Sequence, residues 1–307
     1  AIIQACFELG VEPHRVAKMS GIGCSSKTPA YFLGKSHGFN SVHGRMPSIA
    51  TGANMANRDL LYIGISGDGD TASIGMGQFA HALRRNLNLN YICMNNGCYG
   101  LTKGQDSATA DMGSAGKRGT PNPYSSIDLC ELAIELGASY VARGFSGDKQ
   151  QLVPLIKGAF AHSGLAFIDV ISPCVTFNNT ATSTKSYQYV REHIEATNTF
   201  DFVPLQQEIL ASYDEGTSQE VVMHDGSIIH LHKSESTADV TDRLRAVNNL
   251  EEEKAQNRLL TGLLYVNQDI TDTHDIINST LRPLNSLTEE DLCPGNRALE
   301  EINESLR

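Results

Sequence analysis

The chain has 307 residues, 40% of them hydrophobic and 7% aromatic with no Trp, and a formal net charge of −11 at pH 7. That length holds one large domain or two modest ones with a full core. The acidic balance argues against nucleic acid or an anionic membrane as partner, and no apolar run reaches the ~20 residues that a membrane helix requires. The seven cysteines are odd in number and scattered, without the spacing of a disulfide framework. They suit a reducing cytoplasm, as core residues or metal ligands.

The chain opens on "AIIQACFELG", a helical pattern entered without a Met, so further residues are expected upstream of Ala1. Short apolar, β-branched runs at 15–19, 60–65, 90–94, 139–142 and 166–171 read as strands. Amphipathic helical patterns lie between them at 47–56, 72–85, 127–136 and 149–162. In the last of these Leu152, Leu155, Ile156 and Ala159 share one face. Strands alternating with helices predict an α/β fold with a parallel sheet covered on both sides. Ligands collect at the carboxyl ends of such strands.

After Ser172 the alternation stops. Thr/Asn-rich sequence runs to Tyr187, and "YVREHIEATN" then reads as helix. "QEVVMHDGSIIHLHK" alternates on either side of Asp225-Gly226, a hairpin signal. From Asp239 the chain is highly charged, with short helices expected at 239–248 and 295–306. The pattern divides the chain into an α/β domain, residues 1–200, and a C-terminal extension, residues 201–307, read as an arm that packs on another chain.

"SGDGDTASIGMGQFAHALRRNLNLNYICMNN" carries the main chemical signal. Gly67-Asp68-Gly69 follows a strand and opens a helix, where glycines admit a ligand to the backbone and the helix start favours phosphate. The next strand ends in Asn95 and Asn96, which brings them near Asp68. Asp68, the amide oxygen of Asn96 and the backbone carbonyl of Cys98 form a set of hard oxygens suited to Mg2+ bound with a diphosphate; the Cys98 sulfur is too soft for that ion. Gly67, Gly69 and Ala72 also fit a loosened dinucleotide fingerprint. That reading leaves Asp68 and Asp70 facing a pyrophosphate without a metal, and it lacks the ribose-binding acid after the second strand.

Gly-Asp-Gly followed at this distance by Asn-Asn resembles the thiamine diphosphate motif. More closely, "SGIGCSSKTPAYF", "HGRMPSIATGANMAN", "GDGDTASIGMGQFAHALRRN", "MNNGCYGLTKGQ" and "SPCVTFN" resemble, in this order, the β subunits of 2-oxoacid:ferredoxin oxidoreductases. The tail "LLTGLLYVNQDITDTHDIINSTLRPLNSL" is similar to the branch that uses 2-oxoglutarate. The resemblance implies a parallel-sheet thiamine diphosphate-binding domain of the diphosphate type. It implies that Ile22, Gly23, Cys24 and Ser25 meet the thiamine ring region, that His43, Gly44 and Arg45 approach the diphosphate, and that Gly69, Asp70, Gly100 and Leu101 line the cofactor. It places Lys103 against the carboxylate of the oxoacid.

The family holds a [4Fe–4S] cluster on four thiolates. The resemblance gives two of these roles to Cys24 and Cys174; the other two belong to a C-x-x-C pair, which is absent here and expected upstream of Ala1. Cys6, Cys93 and Cys130 fall within helix or strand patterns and read as core residues. The implied activity is oxidative decarboxylation of a 2-oxoacid to an acyl-CoA and CO2, with electrons passed to ferredoxin. The implied partner is an α subunit carrying the pyrimidine-binding domain, in a dimer of αβ heterodimers. Pyruvate or a branched-chain oxoacid in place of 2-oxoglutarate, a non-oxidative thiamine diphosphate enzyme and a non-catalytic scaffold subunit are the other readings.

Overall fold

The computed structural model describes residues 1–114, 121–174, 184–185, 194–196, 218–222, 228–232, 239–256, 258–293 and 295–307. The elements bearing on the site are α1 (Ile2–Glu8), β1 (Val16–Ser20), β2 (His37–Asn40), α2 (Met46–Ala56), β3 (Leu61–Gly67), α3 (Met76–Arg84) and β4 (Leu89–Asn95). Two short strands follow, β5 (Cys98–Tyr99) and β6 (Gln105–Asp106). Then come α4 (Leu129–Glu135), β7 (Tyr140–Phe145), α5 (Lys149–Ala161) and β8 (Leu165–Ile171). Beyond the first 172 residues lie β9 (Ile194–Ala196), the antiparallel pair β10 (Ser218–Val222) and β11 (Ile228–His232), α6 (Arg243–Ala255) and β12 (Leu259–Val266).

The main sheet has the order β2-β1-β3-β4-β8-β7-β12-β9. The first six of these strands are parallel, β12 is antiparallel to β7, and β9 is parallel to β12. Strand residues alternate between two cores, as a pleated sheet requires. Leu89, Tyr91 and Cys93 of β4 and Leu165 and Phe167 of β8 face α2, α3, α4 and α6. Ile92 of β4 and Ala166, Ile168 and Val170 of β8 face α1 and α5. Phe79, Tyr91 and Phe167 meet edge to face, with ring centroids 5.0 to 5.8 Å apart. The buried Tyr91 hydroxyl pairs with Thr71 Oγ1 at 2.9 Å, which ties this aromatic core to the turn after β3.

Three expectations are corrected. The helix expected at 72–85 starts only at Met76, because Gly69–Ile74 forms a wider, π-type turn. The break falls at Gly75, where a Cβ would stand 2.7 Å from Asp70 O and 2.9 Å from Gly44 O. Within "YVREHIEATN", Ile194–Ala196 is strand and not helix, because it pairs with Leu259, Leu260 and Thr261 at the sheet edge and the tertiary partner overrides local periodicity. The charged tail contributes a strand to the main sheet: the apolar run of β12 pairs with β7, and Leu250 and Ala246 of α6 are buried over it. The strands on either side of Asp225-Gly226 form as expected; the turn itself lies outside the described residues.

Candidate active site

The loops singled out by sequence follow the carboxyl ends of five neighbouring parallel strands, so they share one edge of the sheet. Chain order reverses between β1 and β3, where an open parallel sheet leaves its crevice. The two loops there touch. A Cβ on Gly67 would stand 3.2 Å from Ser25 Oγ and 3.6 Å from Ile22 O, and Thr28 Oγ1 donates to Met94 Sδ at the end of β4 (3.4 Å). A lysine buried in β1 holds the first loop down. Lys18 Nζ donates to the carbonyls of Pro29 (2.6 Å), Phe32 (2.5 Å) and Leu33 (3.1 Å), and lies 4.8 Å from the Phe32 ring centroid. Sequence reading passed over Lys18, although a lysine inside an apolar strand is itself a signal of buried carbonyl partners.

Asp68 caps the turn after β3 and is 1% exposed. Its Oδ1 accepts the Asn96 N–H at 3.3 Å, and its Oδ2 accepts the hydroxyls of Thr109 (2.7 Å) and Ser107. Among the described residues its hydrogen-bond partners are all uncharged. Burial therefore pushes this carboxyl up from the usual range, and the three donors only partly offset the effect. Asn96 Oδ1 is fixed by the Cys98 N–H at 3.1 Å, and Thr109 Oγ1 also bonds Asn95 Oδ1 at 3.0 Å. A buried carboxylate without a cation, beside an oriented amide oxygen and the Cys98 segment, fits a small, hard divalent ion. Ser107 and Thr109 were missed from sequence. "DSAT" has no periodic signature, and only folding returns it to Asp68.

Asp70 acts differently. Its Oδ1 accepts the Gly44 N–H (2.6 Å) and its Oδ2 accepts Ser66 Oγ (2.7 Å), so the side chain joins the loops after β2 and β3. Gly44 itself has φ +67°, and a Cβ there would stand 2.9 Å from Gly75 N. His43 and Arg45 are exposed at the start of α2. Tyr99 donates to Gly69 O at 2.9 Å and so sets the β5 loop against the Gly-Asp-Gly turn. Gly100, Leu101 and Lys103 form the turn beyond it. Leu101 and Lys103 are exposed, and Lys103 takes φ +84°, a left-handed conformation uncommon for a residue with a side chain.

Cys24 is exposed on the first loop and Cys174 is half-buried after β8. The backbone bond from Ser172 N to Asn95 O (2.8 Å) draws the end of β8 alongside the Asn95–Cys98 turn. Burial above all, with the Cys174, Asp68 and Cys24 groups adding to it, pushes the buried Cys98 thiol up from its ordinary value. Cys6, Cys93 and Cys130 are buried core residues, as expected.

Residues 21–170 match the family described as thiamine pyrophosphate enzyme, C-terminal TPP binding domain. A 2-oxoacid:ferredoxin oxidoreductase subunit beta of Saccharolobus solfataricus is 46% identical over 177 residues, 57% of this chain and 58% of that relative. The 2-oxoglutarate synthase subunit KorB of Methanocaldococcus jannaschii is 43% identical over 185 residues, 57% of this chain and 67% of the relative. The chain belongs to the 2-oxoacid:ferredoxin oxidoreductase β-subunit family. It spans less than two thirds of the length of the Saccharolobus and Sulfolobus relatives. A solved 2-oxoglutarate:ferredoxin oxidoreductase from Magnetococcus marinus, with 2-oxoglutarate, coenzyme A and succinyl-CoA bound, superimposes with a TM-score of 0.71 at 27% identity, over 97% of this chain and 86% of that one. The family thus shares this α/β architecture well beyond the matched thiamine pyrophosphate domain. No helix among the described residues is long and apolar enough to cross a membrane.

Proposed function

We propose that this chain is the diphosphate-binding half of a thiamine diphosphate-dependent enzyme that oxidatively decarboxylates a 2-oxoacid, 2-oxoglutarate first among candidates, to an acyl-CoA and CO2. The observation that carries the reading is Asp68: a buried carboxylate at the sheet's crevice, held by neutral donors, with the Asn96 amide oriented beside it. Asp68, the Asn96 side-chain oxygen and the Cys98 carbonyl would hold Mg2+. Ile22, Gly23, Cys24, Ser25, His43, Gly44, Arg45, Gly69, Asp70, Gly100 and Leu101 would surround the cofactor. When bound, thiamine diphosphate supplies the electron sink for decarboxylation. The protein residues orient, charge and enclose the site. Arg45, exposed at the start of α2 with Nη1 donating to Gly44 O at 3.3 Å, would turn its donor fork toward phosphate oxygens. Lys103, on its strained turn, offers a point charge to a substrate carboxylate.

Cys24 and Cys174 fit as two of the four thiolates of a [4Fe–4S] cluster, the group that would lead electrons to ferredoxin. An α subunit supplies the pyrimidine-binding domain, in a dimer of αβ heterodimers in the cytoplasm. The exposed Leu292, Leu299, Ile302 and Leu306 near the C-terminus offer an apolar grip for that subunit. The test is an anaerobic assay of the purified complex with a viologen acceptor and coenzyme A, across 2-oxoglutarate, pyruvate and branched-chain oxoacids. Preferred reduction with 2-oxoglutarate supports the reading, and preference for another oxoacid reassigns the substrate. No oxoacid-dependent reduction overturns it. Lys103→Ala should raise KM for the dicarboxylic oxoacid about tenfold, the loss of one charge-assisted contact; an unchanged KM removes Lys103 from the substrate site.

A further inference from the structure

A cavity of about 530 Å³ opens at the same edge of the sheet as Asp68, on the far side of Asn95 and Thr109. The ends of β4 and β8 wall it, with Asp128 and Leu129 at the start of α4, Leu250 of α6 and the start of β12. Its most buried wall holds two carboxylates and one guanidinium. Arg143 Nε donates to Asp169 Oδ2 at 3.0 Å and Arg143 Nη2 to Asp128 Oδ1 at 2.5 Å, so the negative charge is met only in part. Asp169 is 1% exposed, and its Oδ1 has no hydrogen-bond partner among the described residues. The Asn95 side chain helps to hold this carboxyl down but closes no described hydrogen bond to Oδ1, and burial raises it in spite of Arg143. A bare buried acceptor destabilises the fold unless something in the cavity donates to it.

The other walls narrow the identity of that donor. Leu129, Leu250, Leu259 and Leu260 give them an apolar surface. The remaining cations, Lys185, Lys254 and Arg258, each face a carboxylate already, on Asp111, Glu251 and Glu253, and so make no call for an anion. We propose that this cavity binds an aliphatic primary amine as its ammonium ion, with the N–H groups on Asp169 Oδ1 and the carbon chain against the four leucines. A cation answers the unmet charge, and its three donors include one for the bare oxygen. Water would supply the donor but neither the charge nor the apolar contact. Thr109 lines the cavity and donates from Oγ1 to Asp68 Oδ2 at 2.7 Å, so a bound amine would lie beside the hydroxyl that steadies the proposed metal ligand. The inference does not rest on the thiamine diphosphate reading.

The test is calorimetric titration of the purified complex with butylammonium chloride, with 1-butanol as the uncharged counterpart, at about pH 8, where the amine is cationic and the usual carboxylate range is well passed. Saturable binding with a Kd of about 1 mM is expected, and 1-butanol should bind at least about tenfold more weakly. Asp169→Asn keeps the shape and removes the charge. It should weaken butylammonium binding about tenfold or more, the loss of one charge-assisted bond. Ser126→Phe fills space on the cavity wall without altering either carboxylate, and should weaken binding about tenfold by crowding. It decides the matter if Asp169→Asn fails to fold. No saturable heat with the wild-type complex overturns the inference. Equal affinity for 1-butanol overturns it too, as does an unchanged butylammonium affinity in either folded variant.

Discussion

Asp68 follows β3 and Asp169 lies in β8, with only β4 between those strands. Both carboxylates are 1% exposed, yet their surroundings differ in kind. Beside Asp169 the fold places its own cation: Arg143 Nε donates to Asp169 Oδ2 at 3.0 Å, and Arg143 Nη2 to Asp128 Oδ1 at 2.5 Å. Around Asp68 the described partners are two hydroxyls and one N–H. A buried charge that needs only to be stable brings a counter-ion with it. One that waits for an external cation is oriented by neutral donors and left uncompensated. The cavity of about 530 Å³ beside Asn95 and Thr109 runs along the compensated side, past Asp128, Arg143 and Asp169.

The sharpest way to break this contrast is to neutralise each side. Asp68→Asn should weaken retention of thiamine diphosphate and Mg2+ by more than about 100-fold, beyond the effect of losing a supporting contact, while the empty protein holds or gains stability. Calorimetric titration and thermal melting read the two quantities separately, and tight cofactor binding by the variant removes Asp68 from the metal site. Arg143→Met should do the reverse to stability. Two carboxylates lose their cation, and unfolding free energy by denaturant titration should fall by about 3–5 kcal/mol; a loss under about 1 kcal/mol contradicts the compensated-network reading.

Acidification should separate Asp68 from Asp128, whereas burial raises the Asp169 carboxyl despite Arg143, in the same direction as Asp68. The Asp68 carboxyl in the empty fold is raised by burial, so the empty protein takes up a proton more readily than the unfolded chain and gains relative stability as pH falls. Mg2+ needs the ionised form. The rise in melting temperature produced by thiamine diphosphate with Mg2+ should therefore be largest near neutrality and shrink as pH falls through that raised value. At Asp128 burial raises the carboxyl, but the Arg143 charge and the N–H donors of Glu131 and Cys130 outweigh it, and the net direction is down. Its contribution is present above the unfolded carboxylate value of about 3.9 and is lost only as pH falls through the lower folded value. The site should fail first and this part of the network later. Coincident loss contradicts the assignment.

Smaller effects refine the picture. Thr109→Val removes one hydroxyl from Asp68 and one from Asn95 and should weaken Mg2+ binding about tenfold, as loss of an orienting contact does. Lys103→Gly relieves a left-handed backbone and should stabilise the fold by up to about 1 kcal/mol. If Lys103 meets substrate, the same change raises KM, so stability and affinity move in opposite directions.

Apart from the exposed β2, the short β5 and β6 and the start of α3, the strands and helices of the first 172 residues were legible because each rests on a local period, and the Gly-Asp-Gly and Asn-Asn turns were legible because parallel strands deliver their ends to one edge. The tail was less so. β12 looks like part of a charged extension until β7 offers it an edge, and Ile194–Ala196 looks helical until β12 does the same. The resemblance put Asp70 beside the cofactor, and no local pattern showed that its bonds to Gly44 and Ser66 also clasp two loops together.

By itself, then, the sequence determined the α/β alternation, the crevice-edge placement of Asp68 and Asn96, and the family, since these follow from spacing along the chain. Only the tertiary structure decided which hydroxyls hold Asp68 and which carboxylates share Arg143. Those contacts link strands that neighbour one another in the sheet and lie far apart in the chain, and local pattern carries no information about such pairs.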